Sequence, residues 1–280
     1  MTIARLMQQA AAGSAGAGPE PSGWTDPDLA NASYDSVSFS VAVQDANTQD
    51  LFFKPDGSKL YIVGDSGNSI YEYDLSPAWD ISTASYFQGF SITLQEGSPT
   101  GVSFKPDGLK MYVIGRGNDR IQEYNLSTAW DISTANYSQD FPIGIFESQP
   151  SGIFLKPDGT KLYVIGFTGD DINEFNLGTA FDVSTSSYVQ NFSVSPQDTF
   201  PNGLFFNPDG SKLYVLGRTN YAVYEYALSS AWDISTASYS GITFSLVSQE
   251  GTPTGIFFKS DGSKMYVVVS AGTIYQYSTA

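Results

Sequence analysis

The sequence predicts an all-β chain of five copies of one four-stranded unit, set radially as a five-bladed β-propeller. Three observations predict it. First, Pro-Asp-Gly recurs as Pro55-Asp56-Gly57, Pro106-Asp107-Gly108, Pro157-Asp158-Gly159 and Pro208-Asp209-Gly210, with Ser260-Asp261-Gly262 as a fifth copy. The steps are 51, 51, 51 and 52 residues. Second, each repeat holds four short runs rich in β-branched and aromatic residues, and none has a sustained helical period. Third, the last repeat stops after its third run, Ile274–Tyr277, while Ala32–Val43 ahead of the first repeat matches a fourth run. The N-terminal strand is therefore expected to complete the blade that the C-terminus leaves open, which removes the exposed edges.

The repeat that starts at Pro99 shows each element in order. Val102–Lys105 is a first strand ending at Pro-Asp-Gly, and this turn with the following Lys110 signals a tight hairpin. Lys110–Ile114 is a second strand, Arg120–Leu126 a third and Tyr137–Phe146 a fourth. The first strands read LFFK, VSFK, IFLK, LFFN and IFFK without clean alternation, as expected when neighbouring blades cover both faces. Trp79, Trp130, Phe181 and Trp232 keep the same step, and each precedes an aspartate: Asp80, Asp131, Asp182 and Asp233. The aromatic residues are expected to pack over blade edges and the aspartates to cap backbone N–H groups. Trp24–Tyr34 reads as a degenerate copy of this connection. The propeller is thus expected over residues 24–280, with 1–23 as an arm and linker.

Composition limits the chemistry. The 280 residues include no histidine and no cysteine, so disulfides, thiolate nucleophiles, Cys-ligated metals and Ser-His-Asp triads are excluded. With 29 acidic and 13 basic residues the formal charge is -16, which argues against nucleic acid as a partner. No stretch approaches the ~20 apolar residues of a membrane span. In the arm, Ile3, Leu6 and Met7 share one face of a helical projection, and Arg5, Gln8 and Gln9 interrupt any signal-peptide core. The arm reads either as a tail or as a docking segment.

Candidate site residues fall on the face formed by the second-to-third strand loops and the crossovers between repeats. The blade-specific set is Arg116, Asn118, Asp119, Arg120, Phe167, Asp170, Asp171, Phe200, Arg218, Asn220 and Tyr221. Arginine beside aromatic, amide and carboxylate groups suits sugars or a protein surface. A second pattern is a ring of crossover acids, Asp45, Glu96, Glu147, Asp198 and Glu250. It reads as a solvated acidic rim, with a Ca²⁺ site as the other possibility. Glu72, Glu123, Glu174 and Glu225 are repeat-equivalent, so nothing sets two apart as acid and nucleophile. A structural role is expected for them. Asp50 and Thr48 break the glycine and proline pattern at the start of the first repeat. No cofactor is expected.

The unit PxGxxFxPDGxKxYVxG resembles YVTN-type and related PDGxK propeller repeats over nearly the whole chain. With AWDISTASY in its outer connection, it is similar to repeat proteins encoded by marine tailed phages. The leader MTIARLMQQAAAGSAGAG also resembles the start of structural proteins from such phages. The resemblance implies a non-enzymatic virion protein present in several copies. Its arm would dock on capsid or tail proteins, and its propeller would bind a host glycan or decorate the particle. A secreted multivalent lectin, and less directly a lactonase or glycosidase-type propeller, are the alternatives.

Overall fold

The computed structural model describes residues 23–249 and 251–280. The docking residues Ile3, Leu6 and Met7, and Glu250 of the acidic ring, lie outside the described residues.

The described strands form five four-stranded antiparallel sheets. Blade 1 comprises β2 (Thr48–Phe53), β3 (Lys59–Gly64), β4 (Ser69–Asp74) and β5 (Ser85–Ser91). Blade 2 comprises β6 (Pro99–Phe104), β7 (Lys110–Gly115), β8 (Arg120–Leu126) and β9 (Ala135–Pro142). Blade 3 holds β10 (Pro150–Leu155), β11 (Lys161–Gly166), β12 (Asp171–Leu177) and β13 (Ser186–Ser193). Blade 4 holds β14 (Pro201–Phe206), β15 (Lys212–Gly217), β16 (Ala222–Leu228) and β17 (Ala237–Ser245). Blade 5 joins β18 (Pro253–Phe258), β19 (Lys264–Val269) and β20 (Thr273–Ser278) to β1 (Ser33–Ser40). The expected closure by the N-terminal strand is present, with Phe39 opposite Ile274 and Ser40 opposite Thr273. The inner strands contact one another around a closed ring, β18 meeting β2.

Two strand limits differ from expectation. The inner strand of blade 2 begins earlier, at Pro99. The outer strand ends at Pro142 because the next residue, Ile143, is buried and starts a turn. Its carbonyl accepts from Phe146 and Glu147 N–H at 2.8 and 2.9 Å.

The core lies between blades. Tyr61, Val63 and Ile70 of blade 1 cluster with Val102, Phe104, Met111 and Val113 of blade 2, and the other blade pairs repeat this arrangement. Runs such as Leu60–Val63 and Met111–Ile114 are wholly buried, which explains their lack of alternation. Removing one such Leu or Ile side chain costs about 2–5 kcal/mol.

A polar clasp locks four of the five joints; at the fifth, the buried Tyr214 hydroxyl has no partner among the described residues. The second-strand tyrosine donates to the carbonyl of the aromatic residue on the next blade. These bonds run from Tyr61 to Trp130 O (2.6 Å), Tyr112 to Phe181 O (2.9 Å), Tyr163 to Trp232 O and Tyr266 to Trp79 O (both 2.7 Å). The last of these closes the ring. Trp79, Trp130, Phe181 and Trp232 have left-handed backbones, with φ between 63 and 68°. Each ring covers the glycine of its own blade's Pro-Asp-Gly turn. The expected aspartate caps form: Asp80, Asp131, Asp182 and Asp233 accept from the N–H two residues on.

Three of the four repeat-equivalent glutamates, Glu72, Glu123 and Glu174, belong to the same clasp, while Glu225 pairs with Lys212 of its own blade. Glu123 is buried, pairs with Lys110, and accepts from Val183 N of the next blade at 3.1 Å. Glu72 and Glu174 make matching bonds to Ile132 N and Ile234 N. Their position is structural, as their equivalence in sequence suggests.

Candidate functional site

The crossover acids are not a solvated rim. Asp45, Glu96, Glu147 and Asp198 are buried, and each latches its crossover to the second-to-third strand loop of the same blade. Asp198 accepts from Phe200 N (2.8 Å), Thr219 N (3.1 Å) and Asn220 N (3.0 Å). Glu96 accepts from Ser98 N (2.8 Å) and Gly117 N (2.7 Å). Asp45 and Glu147 make the corresponding bonds. The carboxylates accept from loop amides that would otherwise lack partners, although Glu147 Oε2 has none among the described residues. Among the described residues no three His, Cys, Asp or Glu side chains converge on a metal position.

The latches hold the loops whose residues differ from blade to blade, and the blade-specific set divides into three groups. The first is scaffolding. Asp119, Asp170 and Tyr221 take left-handed turn positions with φ of 54, 49 and 50°. Burial and the neighbouring carboxylates Asp171 and Asp198 hold the Asp170 carboxyl above its ordinary value. Asp171 is buried and accepts from Asn173 (2.7 Å) and Asn191 (2.5 Å). Asn220 bonds to Gln197 O and Tyr224 Oη.

The second group forms a stack that crosses three blades on the axial side of the loop face. The Arg116 guanidinium lies 4.8 Å from the Phe167 ring centre. Phe167 lies 4.4 Å from Phe200, and Arg218 covers Phe200 at 5.8 Å. The second-strand glycines Gly115, Gly166 and Gly217 immediately precede Arg116, Phe167 and Arg218, which places all three at the same level. Arg116 Nε donates to Pro150 O at 3.3 Å, while its Nη2 is buried without a partner among the described residues. Burial, and then the charge of Arg218, hold the Arg116 guanidinium below its usual pKa.

The third group lies on blade 2, where Asn118 and Arg120 enter an open groove of about 250 Å³ with Leu94, Gln95, Gln122, Tyr137 and Asp140. Arg120 pairs with Asp140, which also accepts from Tyr137 Oη at 2.8 Å. Leu94 stands at the rim, 94% exposed. Gln122, only 1% exposed, spends its amide N–H groups on Gln95 O, Asn118 Oδ1 and Glu96 Oε2. Among the described residues its Oε1 has no donor, and the buried Tyr124 hydroxyl has no partner. An unpaired buried polar group costs about 1–3 kcal/mol. Blades 1, 4 and 5 place Tyr71, Tyr224 and Tyr275 at the Gln122 position, and the smaller amide leaves the groove. Leu94, Gln95, Gln122, Tyr137 and Asp140 do not stand out as site residues in the sequence. The replacement of tyrosine by glutamine at 122 was the available signal.

Asp50 sits where the inner strands of blades 1, 2 and 5 meet. It lies two residues from Phe52, so both share one face of β2. Phe52, Phe257, Phe205 and Phe154 form a chain of ring contacts at 5.2, 5.2 and 5.6 Å around the axis. The Asp50 carboxylate accepts from Leu51 N (2.8 Å) and from Val102 N of blade 2 (3.1 Å). It fills the space beside Gly255, where any Cβ would meet it at 2.5 Å. Solvent reaches it in part, but protein encloses it, and burial pushes its pKa up to about 8.

No family model matches the sequence, and no curated protein matches it. Solved structures match in fold. The chain is 16% identical to a candidate 6-phosphogluconolactonase from Bacteroides uniformis (TM-score 0.51), with 80% of this chain and 64% of that one covered. It is 16% identical to a protein from Lactobacillus plantarum (TM-score 0.50), with 79% and 64% covered. The chain thus spans under two thirds of the length of these matched structures, and at this identity the likeness is one of propeller fold.

Proposed function

We propose that this chain is a non-enzymatic binding protein whose propeller takes a carbohydrate in the blade 2 groove. The observation that carries this reading is the buried Gln122 Oε1, without a donor among the described residues, on a side chain that lines an open polar groove. A sugar hydroxyl would supply the missing donor. Tyr137 and Leu94 offer apolar surface to the ring, and Arg120, Asp140 and Asn118 offer bonds to further hydroxyls. The groove is smaller than the roughly 300–1,000 Å³ of drug-sized sites, which suits one or two sugar units. Its one carboxylate is held by Arg120 and Tyr137, whereas paired-carboxylate hydrolysis needs two acids in different roles. The resemblance of the leader and repeats to phage structural proteins supports a virion setting, with residues 1–23 docking the propeller on the particle.

A glycan array followed by calorimetry tests the reading. A bound neutral glycan should lose about tenfold or more in affinity in Gln122→Ala and in Arg120→Ala. A chain that binds no glycan, or whose affinity ignores both changes, overturns it. A lactonase is the second reading, favoured by the fold shared with the candidate 6-phosphogluconolactonase. Turnover of that lactone by the purified chain would establish it. For the virion setting, particle proteomics should recover the chain, and deletion of residues 1–22 should abolish its incorporation without lowering thermal stability.

A further inference from the structure

We infer that the axial stack of Arg116, Phe167, Phe200 and Arg218 is a second binding site, which takes an acidic saccharide through its carboxylate or sulfate ester. Only the sugar part of this inference rests on the carbohydrate reading above. The charge preference stands on the stack alone.

Four observations converge. The two guanidinium groups lie close enough to repel, yet neither forms an ion pair among the described residues. All nine lysines lie in or beside the Pro-Asp-Gly hairpins on the opposite face, so these arginines are the unneutralised cations of this region. Arg116 Nη2 is buried without an acceptor among the described residues. Arg116 and Arg218 stand in register with Asp65 and Ser270 of blades 1 and 5, so the repeat does not require arginine there.

The like charges of Arg116 and Arg218 act on each other across the two phenyl rings, and an oxyanion bound at either guanidinium offsets that repulsion. A guanidinium presents a planar fork that matches carboxylate and sulfate oxygens, and both are stronger acceptors than neutral hydroxyls. Phe200, 44% exposed, offers a flat apolar surface beside the charge, as the carbon-bound face of a pyranose requires. Asp65 and Glu147 are the acids that act on Arg116 from nearby. They limit the net potential but satisfy neither guanidinium. The chain's charge of -16 is spread over the molecule, and a Debye length of about 10 Å at 0.1 M salt leaves the local pair dominant at contact.

The test is calorimetric titration of the full chain with glucuronate, glucose 6-sulfate and glucose at low and high salt. At least one anionic sugar should bind about tenfold or more tightly than glucose, and more weakly as salt rises. Arg218→Gln should remove that preference, Arg218→Lys should keep part of it, and Phe200→Ala should weaken the anionic sugar. Comparing glucuronate with glucose 6-sulfate separates carboxylate from sulfate recognition. Arg218→Gln is the main variant because Arg218 has no side-chain hydrogen bond among the described residues, whereas Arg116 bonds to Pro150 O. Equal affinity for charged and neutral sugars, no saturable binding of either anion, or an unchanged preference in Arg218→Gln overturns the inference. Anion binding that survives Gln122→Ala while neutral glycans fail to bind sinks the groove reading and leaves this one standing. Loss in Gln122→Ala but not in Arg218→Gln does the reverse.

Discussion

The carboxylate of Asp35, on the strand that opens the propeller, lies 2.6 Å from the ammonium of Lys264, on the blade that ends it. In blades 1 to 3 the matching lysine meets a third-strand glutamate, and a fourth-strand glutamine completes the set, as with Lys59, Glu72 and Gln88. In blade 5 the two side chains trade strands. Gln276 sits on the third strand and donates to Asp35 on the fourth at 2.8 Å. The acid that the closing blade needs therefore arrives only with the N-terminal strand. Burial opposes its ionisation, but bonds from Lys264, Ser278 and Gln276 hold its pKa below the usual value. A depressed folded pKa gives stability that is present above the unfolded value and lost as pH falls through the folded one. Asp35→Asn should cost about 1–3 kcal/mol at neutral pH. Hydrogen exchange should show β20 opening ahead of the other blades, and uniform loosening of all five would contradict the closure role.

Asp50 should act in the opposite sense. Its folded pKa, about 8, lies above the ordinary aspartate value, so the folded chain holds a proton that the unfolded chain has released. Stability should fall as pH rises between these values, by up to about 1.4 kcal/mol per pH unit. Denaturant titrations from pH 6 to 8 lie within this window. Asp50→Asn should flatten this slope, and a slope that persists in the variant would assign it elsewhere.

The latch acids should behave as structure and not as cation ligands. Asp198→Ala should cost about 1–3 kcal/mol and loosen the loops around Phe200 and Asn220. Calcium or a chelator should leave the melting temperature of the unaltered chain where it is. A shift of several degrees with calcium would reopen the metal reading.

Gly108 should tolerate no side chain. Its φ is 74°, and a Cβ there would lie 2.4 Å from the Trp130 indole. Gly108→Ala should cost at least the roughly 1–3 kcal/mol of a left-handed non-glycine backbone. Thermal unfolding, with Trp130 fluorescence as a local probe, reads it directly.

How much was legible divides along a physical line. The repeat step, the strand count, the five blades and the closure by Ala32–Val43 are all present in the one-dimensional pattern, because each blade needs the same turn, cap and packing residues at the same spacing. The structural nature of Glu72 and its equivalents was readable for the same reason. The acid ring was not. Burial of Asp45 and Glu96 depends on how two loops of one blade fold together, and local sequence carries no record of that. Nor was the division of the blade-specific residues legible. Asp119 and Arg120 are neighbours in sequence, yet one shapes a turn and the other lines a groove. Gln122 became a candidate only once its partners were known, since an unpaired oxygen is a property of the finished packing. The sequence by itself determined the fold, because repetition makes local patterns agree with the global one. Tertiary structure alone decided which carboxylates are spent on amides, which cations stay unpaired and where solvent can enter, because each of those depends on contacts between segments far apart in the chain.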